Sequence, residues 1–187
     1  MIEDINRAWK VLEGGGLILY PTDTIWGIGC DATNEEAVKK VYALKEREDS
    51  KSMLVLIDSE IRLQQYIKEV PEIAWELLEA ANKPLTIIYP GAKNLASNLV
   101  AEDGSIGIRI PDDDFCLRLI AEFKKPIVST SANLSNEQSP QTFHEISEGI
   151  KSRVDYIVSY RQGDAKAGNP SSIIKLELNG EFSILRN

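Results

Sequence analysis

Residues 17–29, with the sequence LILYPTDTIWGIG, join a short apolar run to a turn of small and polar residues. The apolar run over residues 17–20 predicts a short buried strand, which Pro21 ends. Upstream, apolar residues recur at helical spacing through residues 2–12, and the glycines at residues 14–16 predict the end of a helix. A helix followed closely by a strand and a polar turn is typical of an α/β protein.

Helical and strand patterns alternate along the rest of the chain. Thr33 and Glu36 have the spacing of a capping box and predict the start of the second helix. Asn179-Gly180 predicts a hairpin between the last two strands. The alternation predicts one domain over residues 1–187, an α/β fold with a twisted mixed sheet and flanking helices. Further helices are predicted near residues 61–67, 73–80 and 115–123, and strands at residues 53–57, 85–89, 106–110, 126–128, 156–158, 172–178 and 182–185.

The composition limits the classes of protein to which the chain can belong. It has 187 residues and a formal net charge of −8, with one histidine and two cysteines. This acidic balance argues against a general nucleic-acid binder, because such binding depends on basic residues that meet phosphates. Sites that need several histidines are excluded, since His144 stands alone. No apolar run is long enough to span a membrane, and the acidic N-terminus is unlike a secretory signal. We therefore expect a cytoplasmic protein.

Lys45, Arg47 and Lys51 form a cationic cluster between the second predicted helix and the strand that follows it. Residues two apart in extended backbone share a face, so Lys45 and Arg47 can bind one polyphosphate if the helix ends near Lys45. On a continuing helix they point to nearly opposite sides. The alternative is that basic residues in the last helical turn complement the helix dipole.

Polar side chains cluster at strand ends in three other segments. Thr22 and Thr24 follow the first strand, residues 129–135 (STSANLS) follow the strand at 126–128, and residues 169–172 (NPSS) precede another strand. Ligands of α/β proteins usually bind beyond strand ends. Turn capping is the alternative for the threonines, and a serine nucleophile is the alternative for residues 129–135.

Arg109 lies in the apolar strand predicted at residues 106–110. A buried guanidinium needs a partner, which predicts either a substrate carboxylate or a structural aspartate or glutamate. Asp112, Asp113 and Asp114 then precede a predicted helix. Favourable charge at a helix N-terminus explains these aspartates better than a metal site does.

In their order and spacing, these segments resemble the YrdC family, in particular its short bacterial threonylcarbamoyl-AMP synthases. The resemblance rests on Tyr20-Pro-Thr-Asp-Thr24 with Trp26-Gly-Ile-Gly29, Lys45-x-Arg47 with Lys51, Arg109 before Ile110-Pro111, Ser129-Thr-Ser-Ala-Asn133, and Asn169-Pro-Ser171. It spans nearly the whole chain and implies a single YrdC-like catalytic domain with a concave basic cavity. The implied reaction forms threonylcarbamoyl-adenylate and pyrophosphate from L-threonine, bicarbonate or CO2, and ATP. A downstream complex then transfers the threonylcarbamoyl group to tRNA.

The resemblance also implies a role for each candidate residue. The implied ATP-binding residues are Lys45, Arg47, Lys51, Ser131, Asn133 and Arg186, and the first two of these are expected to be catalytic. The implied threonine-binding residues are Thr24, Arg109 and Ser171, with Arg109 paired with the substrate carboxylate. Carboxylated threonine is itself the nucleophile in this reaction, so the enzyme positions reactants and neutralises charge. Mg²⁺ is expected to arrive with ATP, without a dedicated protein site.

Two other functions are left open by the residues alone. One is a non-catalytic YrdC-like module that binds double-stranded RNA or tRNA. The other is a related carbamoyl-handling transferase or hydrolase that uses the same cavity. A weak contact of tRNA or double-stranded RNA with a local basic patch is compatible with either.

Overall fold

The computed structural model describes residues 1–46, 53–135, 137–164 and 168–187. The helices of these residues are α1 (Ile2–Glu13), α2 (Glu35–Lys45), α3 (Leu63–Tyr66), α4 (Ile73–Ala80), α5 (Asp114–Phe123) and α6 (Glu148–Lys151). The strands are β1 (Ile18–Tyr20), β2 (Gly27–Gly29), β3 (Leu54–Leu56), β4 (Leu85–Tyr89), β5 (Ile106–Arg109), β6 (Ile127–Ser131), β7 (Tyr156–Ile157), β8 (Ser172–Leu176) and β9 (Phe182–Arg186). Short 3₁₀ turns lie at Glu60–Arg62, Ser97–Leu99 and Phe143–Glu145.

The strands of the described residues form one mixed sheet in the order β7-β1-β2-β6-β3-β5-β4-β8-β9. The pairs β1–β7, β3–β5 and β4–β8 are parallel. The other neighbours are antiparallel. The predicted α/β class, with a mixed sheet and flanking helices, is therefore confirmed. Among the described residues, no helix has the length and apolar character that a membrane crossing would need.

Side chains of a strand alternate between the two faces of the sheet. Successive residues of the central strands are apolar, so these strands carry apolar side chains on both faces. Val55 and Val128 pack on one face, in a core that includes the buried residues of α2. Leu56 and Ile127 pack on the opposite face, in a second core formed with α1 and α5. The sheet is thus covered by helices on both sides.

Helix α2 ends at Lys45, as the phosphate-binding interpretation of this segment requires. Glu46, which follows it, adopts a left-handed backbone with φ of 52°, and its N–H donates to the carbonyl of Ala43. A left-handed residue just past the last turn is a common way to end a helix. Lys45 is therefore the last residue of the helix.

The start of α2 differs from the prediction. Its N-cap is Asn34, whose side-chain oxygen accepts hydrogen bonds from the N–H groups of Glu36 and Ala37. The predicted Thr33 cap is wrong, because the Thr33 hydroxyl instead donates to Asp31 at 2.6 Å. An asparagine one residue later offers the same kind of acceptor to the first turn.

One further boundary, the end of β6, differs from the prediction, while the start of α5 agrees with it within one residue. The strand predicted at residues 126–128 continues to Ser131 as β6, so the first hydroxyls of STSANLS lie inside the sheet. Helix α5 is capped by Asp113, which accepts a hydrogen bond from the Cys116 N–H at 2.9 Å. This contact supports the helix-terminus interpretation of the aspartates.

Replacement of Asn34 by alanine is expected to lower the free energy of unfolding by about 1 kcal/mol, because two N–H groups of α2 lose their acceptor. Urea denaturation followed by circular dichroism measures the effect. Glu36→Ala serves as the control, since it removes only an exposed ion pair with Lys39 and should change stability by less than about 0.5 kcal/mol. An equal loss in both variants would contradict the assignment of the cap.

Candidate active site

A cavity of about 240 Å³ lies against one face of the sheet. Its floor and walls come from six strands, β2, β3, β5, β6, β8 and β9, and from residues of the segments that connect strands. The lining residues are Thr24, Ile25, Trp26, Gly27, Met53, Leu54, Arg109, Ser129, Thr130, Ser131, Ser139, Pro170, Ser171, Ile173 and Arg186. Strand alternation explains the floor: Leu54 and Ser129 share a face with Leu56 and Ile127, which α1 and α5 cover. The cavity therefore occupies a part of this face that these helices leave open.

Arg109 is the most deeply buried charged group in the cavity, at 3% exposure. Its Nη1 forms an ion pair with the Asp23 carboxylate, and its Nη2 donates to the Thr24 hydroxyl at 3.2 Å. The Nε atom is buried and has no hydrogen-bond partner among the described residues. An unpaired buried donor is costly, so this N–H is suited to a ligand that supplies an acceptor.

The Thr22-Asp23-Thr24 turn is held by its own hydroxyl groups. Thr22 Oγ1 donates to the Ile25 carbonyl at 2.8 Å and accepts from the Thr24 N–H at 3.0 Å. The two threonine hydroxyls lie 2.9 Å apart. Thr24 is buried at 8% exposure and lines the cavity, so the self-capping turn and the ligand-facing hydroxyl coexist in one segment.

Ser171 and Arg186 form the opposite wall. The Ser171 hydroxyl lies 2.7 Å from that of Thr86, and the Ser171 carbonyl accepts a hydrogen bond from Arg186 Nε at 2.8 Å. Burial, followed by the positive charge of Arg109, lowers the pKa of Arg186. Two guanidinium groups that repel each other across a cavity favour the binding of an anion between them.

A β-bulge directs Arg186 into the cavity. Ile174 pairs with Ile184, but the next pair is Ile173 with Arg186, so Leu185 is an extra residue in β9. In a regular strand, Leu185 would lie opposite Ile173 and Arg186 would face the other side of the sheet. Because Ile173 lines the cavity, the bulge brings Arg186 to the same side.

Lys45 and Asn133 lie beside the cavity and do not line it. The Lys45 ammonium, in a residue with 2% exposure, donates to the carbonyl groups of Ser131 and Asn133, both at 2.6 Å. The Asn133 amide donates to the Glu137 carbonyl at 2.9 Å and lines an adjacent cavity of about 260 Å³. Lys45 thus fixes the backbone that carries both side chains.

The structure brings together Thr24, Arg109, Ser131, Ser171 and Arg186 around one cavity. Lys45 and Asn133 are adjacent through the turn after β6. The predictions for Arg47 and Lys51 lie outside the described residues.

The described lining of the cavity offers no conventional base to a serine nucleophile. Among its described lining residues none is a histidine, lysine, aspartate, glutamate or cysteine. His144 is exposed on the 3₁₀ turn Phe143–Glu145 and does not line the cavity. Ser131 therefore serves better as a hydrogen-bonding group than as a nucleophile.

Two residues of the site were missed by sequence reasoning. Asp23 pairs with Arg109, and Thr86 contacts Ser171 from the neighbouring strand. A signal existed for Asp23, because a buried arginine needs an acid and this one lies in the polar turn after β1. Thr86 had no such signal, since its position beside Ser171 depends on the parallel pairing of β4 with β8.

Comparisons with known proteins find several that are similar to this chain. Residues 10–187 match the family model Sua5_yciO_yrdC, described as "Telomere recombination". The chain is 36% identical over 176 residues to a Methanocaldococcus jannaschii protein named as a candidate threonylcarbamoyl-AMP synthase, with 94% of this chain and 81% of that protein covered. It is 32% identical over 181 residues to the threonylcarbamoyl-AMP synthase of Pseudoalteromonas translucida, with 95% of both covered.

A solved structure is also similar to this chain. The crystal structure of P. abyssi Sua5 complexed with L-threonine superposes with a TM-score of 0.85 at 28% identity. The match covers 97% of this chain and 53% of that one, so the chain spans about half the length of that protein.

Replacement of Gly168 by alanine tests the close approach of this residue to Thr24 in the turn after β1. A Cβ atom at this position would lie 1.3 Å from the Thr24 carbonyl oxygen, so one of the two segments must move. We expect the free energy of unfolding to fall by about 1–3 kcal/mol. Gly163→Ala is the control, because no described residue lies within 4 Å of its Cβ position. Equal urea midpoints for both variants would contradict the close approach.

Proposed function

The chain belongs to the Sua5/YciO/YrdC family, and from this membership we propose that it is a threonylcarbamoyl-AMP synthase. Such an enzyme forms threonylcarbamoyl-adenylate and pyrophosphate from L-threonine, bicarbonate or CO2, and ATP. The observation that carries the proposal is the buried Arg109, whose Nε lacks a partner among the described residues and which lines a cavity rich in hydroxyl groups. These donors suit a small, polar, anionic substrate.

The proposed chemistry needs positioning rather than a protein nucleophile. The amino group of threonine attacks the carbon of CO2, or of bicarbonate with loss of water, and loses a proton to give a carbamate. A carbamate oxygen then attacks the α-phosphorus of ATP, and the bond to pyrophosphate breaks. The absence of histidine, lysine and acidic side chains from the described lining is compatible with this route, because the substrate supplies its own nucleophile.

We propose that threonine lies between the turn that follows β1 and the residues that precede β8. Arg109 would receive the carboxylate, while Thr24 and Ser171 would contact the same substrate. Their burial at 3%, 8% and 4% exposure supports this arrangement, because excluded water strengthens hydrogen bonds to a charged group. The likeness to a structure complexed with L-threonine gives further support.

We propose that ATP lies next to threonine, beyond β6 and β9. Arg186 would offset phosphate charge together with Arg47 and Lys51, and Ser131 and Asn133 would contact the nucleotide. The contacts of Lys45 with both backbone carbonyls support the assignment of these residues to one binding group. Developing charge on the α-phosphorus and pyrophosphate is best stabilised by such fixed cations and N–H groups.

Mg²⁺ is proposed to enter with ATP. The described cavity wall presents hydroxyls and guanidinium groups, and the nearby Asp23 carboxylate is engaged by Arg109. These groups fit phosphate oxygens better than a bare cation, for which carboxylates are the preferred ligands. When bound, the metal would neutralise the triphosphate.

The proposal includes a cytoplasmic location and a downstream complex that transfers the threonylcarbamoyl group to tRNA. A weak contact with tRNA or double-stranded RNA would occur during that transfer. The net charge of −8 opposes tight binding to nucleic acid, so the proposed contact with RNA is weak.

The proposed reaction is tested by incubating the purified chain with ATP, Mg²⁺, bicarbonate and L-threonine. We expect pyrophosphate and threonylcarbamoyl-adenylate in equal amounts, detected by a coupled assay and by mass spectrometry. Omission of bicarbonate and replacement of L-threonine by L-alanine are the controls. Failure to form pyrophosphate with threonine, in a sample that binds ATP, would refute the synthase assignment.

Ser131→Ala separates the synthase from a hydrolase with a serine nucleophile. A lost ligand contact should reduce kcat/KM by about 5- to 150-fold, the equivalent of about 1–3 kcal/mol. Loss of a nucleophile would remove nearly all activity. Ser59→Ala is the control, because Ser59 does not line the cavity and makes no capping hydrogen bond. Complete inactivation by Ser131→Ala alone would favour the hydrolase.

A further inference from the structure

Asp23 is fixed at both of its carboxylate oxygens. Oδ1 pairs with Arg109 Nη1, and Oδ2 accepts a hydrogen bond from the Asp112 N–H at 3.2 Å. The Asp23 side chain is only 6% exposed. Asp23 is not among the residues that line the cavity, and its side chain reaches the cavity wall through its ion pair with Arg109.

The turn that carries Asp23 is tied to the β5–α5 connection at a second point. Arg161 Nη1 donates to the Thr22 carbonyl at 3.3 Å and to the Asp113 carboxylate at 2.7 Å. Together with the bond between Asp23 and the Asp112 N–H, this contact prevents the turn from rotating away from β5. The Asp23 carboxylate therefore has a defined position relative to Arg109.

We propose that Asp23 is the positioning residue that orients the Arg109 guanidinium for the carboxylate of the amino-acid substrate. This inference rests on the proposed function and names a residue that the sequence did not assign to the site. The guanidinium has five N–H donors. Asp23 and Thr24 engage one each, on Nη1 and Nη2, and Nε has no partner among the described residues.

The charges around the cavity explain why a fixed carboxylate is needed. Burial, and after it the positive charge of Arg109, lowers the pKa of Arg186, so the two guanidinium groups are an unfavourable pair without an anion between them. A buried arginine without its acid is strongly destabilised and turns toward any other acceptor. With Asp23 in place, the guanidinium stays charged, keeps its plane and presents the remaining donors as a rigid fork, the geometry that binds a carboxylate with two hydrogen bonds.

The test compares Asp23→Asn with wild type in the full chain, with separate calorimetric titrations of L-threonine and ATP and with steady-state kinetics. We expect the Kd and KM for L-threonine to rise about tenfold or more, because a charge-assisted hydrogen bond no longer fixes Arg109. The Kd for ATP should stay the same, and kcat should change much less than KM. Asp112→Asn is the matched control, since this exposed residue contributes only its backbone N–H, and it should leave both ligands unaffected.

A double variant separates positioning from a general structural effect. If Asp23 acts through Arg109, Asp23→Asn should add little to the threonine defect already present in Arg109→Lys. Additive losses would overturn the proposal. Unchanged threonine binding in Asp23→Asn would overturn it as well. Tighter binding would also overturn it, because Asp23 would then compete with the substrate carboxylate for Arg109.

Asp23→Glu covers the case in which Asp23→Asn does not fold. It keeps the charge but moves it by one methylene, which should weaken threonine binding while ATP binding persists. Normal threonine affinity in this variant would overturn the proposal. Product formation by wild type reports on the proposed function separately, so a wild-type enzyme that is active beside an Asp23→Asn variant with normal threonine affinity would refute only the role of Asp23.

Discussion

The buried ion pair between Arg109 and Asp23 is the interaction on which the site depends. A guanidinium at 3% exposure in a central strand is tolerated only when an acid lies beside it. That acid comes from the turn after β1, which is separated from β5 in the sheet by β2, β6 and β3. The turn must therefore reach across the sheet face, and in doing so it becomes one wall of the cavity.

The position of the cavity follows from unequal coverage of the two sheet faces. The face that carries Val55 and Val128 is covered by a large core, which includes the residues of α2. On the other face, the core around α1 and α5 takes in Leu56 and Ile127, while Ser129 further along β6 lines the cavity. Small and polar residues replace apolar ones at this point, where the core formed with α1 and α5 does not extend. Strand β6 therefore packs in the core at its first residue and lines the cavity toward its end.

Much of the architecture could be predicted from the sequence, because it depends on local periodicity. The alternation of helices and strands and the hydroxyl groups at residues 129–131 are visible in short windows. The sequence left the end of α2 open, and the left-handed backbone of Glu46 decides it. Contacts between distant strands are not visible there. The acid that pairs with Arg109 and the bulge at Leu185 that turns Arg186 into the cavity both depend on strand order and register. Asn34 in place of Thr33 as a cap shows that neighbouring polar residues compete for one role, and backbone geometry decides between them.

The contacts that close the cavity have a consequence for how the chain folds. Thr24 and Arg109 are 85 residues apart in sequence, and so are Thr86 and Ser171. Loops of this size are slow to close, whereas helices such as α1 and α5 form from local contacts. The cavity therefore exists only in a chain in which both of these long loops have closed. Ligands of the cavity bind that state and not the unfolded chain, so they should raise the stability of the whole fold.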